Sequence, residues 1–164
     1  MGFEIFVGGY EGGECSKFSF DIVESVFASA IKNKTTIRDG SFIWAIEYDI
    51  EHPEDVPRTI VIDGVEHSIM VRDGADIYIS VDDPTRPLTS GFMVAGPPAN
   101  DAFYESLLTI LQATHTALYW GGENSLVIGR DDMIDHLPKD MIAVLGEPLL
   151  ATRAEQIIAR LKAS

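Results

Sequence analysis

Asp131, Asp132, Asp135 and His136 crowd into the run DDMIDHLPKD in the last third of the sequence. If that run is helical, Asp131 and Asp135 share one face and Asp132 and His136 another, because positions four apart are neighbours on a helix. Either pair has the chemistry to ligate a metal ion. The same aspartates equally suit the first turn of a helix, where the dipole favours negative charge. That plainer reading is preferred, and neither a metal nor a cofactor is expected.

The other reactive groups are scattered. Cys15 sits in GGYEGGECS beside Glu11 and Glu14, the reverse of the electropositive surroundings in which reactive cysteines are found. The glycine pairs of that stretch imitate a phosphate cradle, but its glutamates would repel a phosphate, so it reads as a flexible loop. His52, His67, His115 and His136 occur singly. His115 falls just past a predicted helix, where a protonated imidazole would complement the dipole. No G-x-S-x-G elbow, paired-histidine zinc helix, Walker lysine or kinase motif is present, and the chain reads as a non-enzyme.

The elements that must position these residues follow from periodicity. Arg58 to Val81 holds three β-branched runs separated by Asp63-Gly64 and Asp73-Gly74, the turn dipeptides of a hairpin meander. Phe42 to Tyr48 alternates as a strand, Phe3 to Val7 forms a first strand, and a short strand is expected at Phe92 to Val94. Apolar spacing predicts helices over Ser19 to Ile31, from an Asn100 N-cap to Thr114, and over Thr152 to Lys162. Ala117 to Trp120 and Leu126 to Ile128 read as two short strands about a glycine turn. Strands early and helices late give an α+β class: a mostly antiparallel sheet built on residues 42–82, with the helices packed mainly on one face. A chain of 164 residues fits one domain, residues 1–164.

Charge is the distinctive property. Twenty-six acidic against twelve basic side chains give −14 and a pI near 4.4. Such a field disfavours nucleic acid, whose binding depends on Lys and Arg, and anionic membrane surfaces. It steers a cationic partner inward. Asp49, Glu51, Glu54 and Asp55 surround His52 in a proline-interrupted loop with no basic residue between Arg38 and Arg58. That loop lacks the template of a calcium site. One cysteine, no secretory leader and no membrane-length apolar run fit the cytoplasm.

The order Arg86-Pro87, capped helix, Leu118-Tyr119-Trp120-Gly121-Gly122, His136-Leu137-Pro138 and Leu145-Gly146-Glu147-Pro148 resembles small acidic immunity proteins of bacterial polymorphic and contact-dependent toxin systems. The resemblance covers the carboxy-terminal half. It implies a cytoplasmic protein that binds and neutralises one cognate toxin domain, and no catalytic residue carries over. A basic toxin, such as a nuclease, would suit the charge. Asp49, Glu51, Glu54, Asp55, Asp82, Asp83, Asp131 and Asp132 would then steer and contact it, while an exposed aromatic, Tyr10 or Tyr119, anchors it. Two alternatives are a small-molecule-binding protein or enzyme with a pocket between the sheet and the helix from Asn100 to Thr114, and a structural or assembly accessory protein.

Overall fold

The computed structural model describes residues 3–49, 59–68, 72–83 and 85–164. The fold is α+β, organised by one large and mostly antiparallel sheet. In chain order its main strands are β1 (Glu4–Glu11), β4 (Ile31–Arg38), β5 (Ser41–Asp49), β8 (Arg72–Ser80), β10 (Gly91–Ala95), β11 (Thr116–Tyr119), β12 (Leu126–Ile128) and β13 (Leu149–Leu150). Two-residue strands β2 (Glu14–Cys15), β3 (Phe18–Ser19) and β9 (Leu88–Thr89), and a hairpin of β6 (Thr59–Ile62) with β7 (Val65–Ser68), complete the β structure. Across the sheet the order is β13-β12-β11-β1-β10-β8-β5-β4, with β2 folded back on β1. Among the described strands only β12 and β13 run parallel.

Alternation along the strands sorts residues between two faces. Ile5, Val7, Trp44, Ile46, Ile77, Ile79, Phe92, Val94 and Leu118 point to one side and are buried. Helices α1 (Phe20–Phe27), α2 (Asp101–Ala113) and α4 (Ala154–Ala163) cover that side through Val23, Phe27, Phe103, Leu107, Ile110, Leu111 and Ile157. The expected face-on packing of three helices is therefore realised. Helix α2 starts as its sequence dictates: Asn100 accepts a hydrogen bond from Ala102 N at 2.9 Å, while its amide donates to the Asp49 carbonyl, tying the helix start to the end of β5.

Among the described residues the second face is covered at one end only. There a short 3₁₀ helix (Asp131–His136) and α3 (Lys139–Leu145), the latter not anticipated, seat Met133, Leu137, Met141, Ile142 and Leu145 over Ala117, Leu126 and Ile128.

Four expectations are corrected. The first helix stops at Phe27 rather than Ile31, and Ile31 to Arg38 is a strand. The run IKNKTTIR is rich in β-branched residues, and Glu47 N bonding to the Ala30 carbonyl commits the chain to the sheet. Asp73-Gly74 is no turn but part of β8, opposite Tyr48 and Glu47. A Cβ on Gly74 would stand 2.8 Å from the Ile46 carbonyl, so its glycine serves close strand approach. Asp63-Gly64 is the turn expected, with φ of 52° and 79°, but among the described residues its hairpin pairs only within itself, as a two-stranded sheet separate from the main one. Within GGYEGGECS, Gly8, Gly9 and Tyr10 belong to β1, and only Gly12-Gly13 turns, at φ of 60° and 82°.

Candidate functional site

The strand registers place the predicted partner-binding acids at opposite ends of the sheet. Asp49 pairs with Arg72, and Ser41 with Ser80, so Asp49 lies at one end of a ladder roughly 26 Å long at ~3.3 Å per residue, and Asp82 lies past its other end. Asp131 and Asp132 follow β12 at the same end as Asp82 and Asp83, but β11, β1 and β10 intervene. That lateral gap is roughly 19 Å. Glu51, Glu54 and Asp55 lie outside the described residues, as does His52. The described acids thus fall in three separate places, Asp49 at one end of the sheet and the pairs Asp82-Asp83 and Asp131-Asp132 apart at the other.

Several of them are already engaged. Asp82 pairs with Lys17 at 3.3 Å. Asp83 accepts from the Thr85 amide and hydroxyl at 2.9 and 2.7 Å, and those bonds hold its carboxyl below the usual range. Arg130 forks onto both oxygens of Asp132 at 3.0 and 2.9 Å, lowering that carboxyl too. Asp49 and Asp131 are exposed.

The expected anchors also differ from one another. Tyr10 is 8 % exposed, not a surface aromatic. It points to the second face two residues after Gly8, whose missing side chain leaves space for the phenol: a Cβ there would be 2.8 Å from the Tyr10 hydroxyl. Burial, with Tyr119 beside it, pushes the Tyr10 phenol well above its ordinary pKa. Tyr119 is half-buried and stacks on Phe6 with ring centroids 5.4 Å apart and planes 18° from parallel.

That stack belongs to a surface the sequence reading missed. Where the 3₁₀ helix and α3 end, no other described residues cover the second face over β1, β10, β8, β5 and β4. Phe6, Tyr119, Met93 and Tyr78 border a shallow trough of about 380 Å³, and Tyr78 is 37 % exposed. Toward the Asp49 end, strand alternation puts Glu4, Glu47 and Asp76 on this same face. At the other end Ser41 and Ser80 share a hydrogen bond of 2.9 Å, with Ile37, 56 % exposed, alongside. The open face is therefore apolar and aromatic at its centre and acidic at one end. A signal existed in the run DIYIS: Ile77 and Ile79 alternate with Asp76, Tyr78 and Ser80, which marks Tyr78 as belonging to the polar side.

A second constellation joins residues distant in sequence. His115, between α2 and β11, stacks on His136 with ring centroids 4.7 Å apart. Its Nε2 lies 3.6 Å from Asp132 Oδ2, and the ligand atoms of the three side chains fall within 4.8 Å of one another. The sequence pattern had joined Asp132 to His136 and left His115 out. Two imidazoles and a carboxylate are metal-ligand types. Here, however, Arg130 occupies both Asp132 oxygens, and the Gly12 amide donates to His136 Nδ1 at 3.1 Å, leaving the neutral ring its proton on Nε2. The arrangement works as a hydrogen-bonded clasp between the Gly12-Gly13 turn and the 3₁₀ helix, reinforced by Gly13 N bonding to the His136 carbonyl.

On the α2 side of the sheet Phe103, Leu107, Ile110 and Leu111 are fully buried. A cleft opens instead beside α1, bounded by Phe20, Phe42 and Trp44. Among the described residues no helix is long and apolar enough to cross a membrane. Comparison with family models, with curated proteins and with solved structures finds no match to this chain.

Proposed function

We propose that this chain is a binding protein that captures a basic protein partner on the open face of its sheet and neutralises it, as an immunity protein does its cognate toxin. The observation that carries the reading is the uncovered face itself. Phe6, Tyr78 and Tyr119 offer large, rigid rings of the kind that supply anchors at interfaces, and Met93 adds an adaptable apolar side chain between them. Glu4, Glu47 and Asp76 flank them, within a chain of net charge −14. An apolar centre with an acidic border fits a partner that is apolar at its own centre and basic around it. The exposed Asp49 and Asp131, at the margins, add long-range attraction in place of contact. In this reading the chain performs no reaction, needs no cofactor and acts in the cytoplasm, where Cys15, exposed at the end of the β1–β2 turn, stays reduced.

The test is a tagged pull-down from the native host, with the genes adjacent to its own expressed, followed by mass spectrometry. One basic protein in stoichiometric amount is expected. Tyr78→Asp combined with Met93→Asp should abolish its capture, whereas Gln112→Glu on the exposed side of α2 should leave it intact. Capture that survives the face substitutions would refute the assignment of this surface, and an acidic or absent partner would refute the function.

A further inference from the structure

The cleft beside α1 has an unusual composition for a protein surface. Three aromatic rings form its walls: Phe20 meets Trp44 edge-on with centroids 5.4 Å apart, and lies 6.1 Å from Phe42. Trp44 is among the largest of the buried side chains. Asp21 and Glu24 border the same cleft from the exposed side of α1, and its volume is about 210 Å³, many times what one water needs. Aromatic faces carry negative charge and attract cations, most strongly at tryptophan, and carboxylates add to that attraction.

A cation already sits there. Lys34 reaches from β4 to place Nζ 5.3 Å from the centre of the Trp44 ring and 2.7 Å from Glu24 Oε2. Both partners of this ion pair remain substantially open to water, at 47 % and 40 %, and an exposed pair of this kind contributes little to stability. It can be displaced. Lys34 also fits the site imperfectly, since an ammonium prefers hydrogen bonds to water over a largely apolar wall.

We propose that this cleft binds a small organic cation of the quaternary-ammonium type, which takes over the position on Trp44 that the chain's own Lys34 occupies. A quaternary ammonium has no N–H to satisfy, so aromatic walls cost it little, and its charge is still met by Glu24 and Asp21. The site is independent of the open sheet face and lies on the helix-covered side. Its ligand is a free small molecule and not a side chain of the partner protein.

The test uses the whole chain and tetramethylammonium chloride, at constant ionic strength, followed by NMR. Saturable upfield movement of the tetramethylammonium methyl signal, with a shift of the Trp44 indole N–H, is expected at millimolar concentration. The sign of one variant is diagnostic. Lys34→Ala removes the internal competitor and should tighten binding about threefold to tenfold, whereas Glu24→Gln should weaken it by about the same factor. tert-Butanol, a neutral group of similar shape, should bind far more weakly. The proposal is overturned if tetramethylammonium causes no saturable shift, if Lys34→Ala leaves binding unchanged or weaker, or if the neutral compound binds equally well. Lys34 is exposed on β4, and an unchanged amide spectrum elsewhere will show that the variant is folded.

Discussion

Tyr10, Tyr48 and Tyr104 are three phenols in apolar surroundings, and their ionisation should report it. Burial pushes Tyr48 and Tyr104 up to about 12, and Tyr10 higher still. An unfolded chain would release these protons near pH 10 while the folded one keeps them, so folding stability must fall as pH rises above 10. Urea unfolding midpoints measured at pH 9, 10 and 11 should decline in that order, and ultraviolet titration of the folded protein should show tyrosines resisting ionisation past pH 11. The acid side has the opposite sign. Asp83 and Asp132 are held low in the folded state, so the stability they lend is present above the unfolded carboxyl pKa and lost as pH falls through the folded one. Asp83→Asn and Asp132→Asn should each flatten the loss of stability between pH 5 and pH 2 in a denaturation series. At this scale the sequence was only partly legible. Tyr10 sits in a glycine-rich stretch and reads as exposed, because nothing local reveals that Gly8 makes room for its ring. The His115 stack on His136 spans twenty-one positions, and no periodicity links residues that meet only through folding.

Elements were far more legible where one local signal dominated. The Asn100 cap, the long apolar stripe of α2 and the Asp63-Gly64 turn all follow from short-range chemistry. Asn100→Ala should cost about 1–2 kcal/mol in chemical denaturation, since it removes both the cap and the tie to the Asp49 carbonyl. Gly74 shows where such reading fails. A glycine after aspartate signals a turn, yet this one answers to the Ile46 carbonyl on the neighbouring strand, which is a tertiary fact. Gly74→Ala should therefore destabilise the fold by about 1–3 kcal/mol, and Gly64→Ala, in the separate two-stranded hairpin, should leave the main unfolding transition nearly unmoved. The boundary between α1 and β4 was lost for a related reason: Ala30 and Ile31 continue a helical spacing but are claimed by β5. Among the described strands β4 is the long edge of the sheet, and Lys32, Lys34, Arg38 and two register shifts along it are the devices that discourage pairing with another chain.

For the whole molecule, the charge acts on the fold as well as on partners. A net −14 over a chain of this size repels itself, and salt screens that repulsion. The melting temperature should rise as sodium chloride is added to a low-salt buffer, with most of the gain by about 0.15 M, where the Debye length is about 8 Å. A fall would mean that exposed pairs such as Lys17 with Asp82 outweigh the general repulsion. The α+β class was legible because alternating and helical periods occupy separate stretches; the strand order was not, since β1 inserts between strands from late in the chain. That insertion has a consequence for biosynthesis. During translation β1 emerges with only β2 to pair with, and its two main neighbours, at residues 91–95 and 116–119, come off the ribosome much later. The apolar strand must stay unpaired over that interval, and contacts so distant along the chain close slowly. A nascent chain halted before Tyr119 is thus left with an incomplete sheet, a target for chaperones and proteases rather than a working fragment.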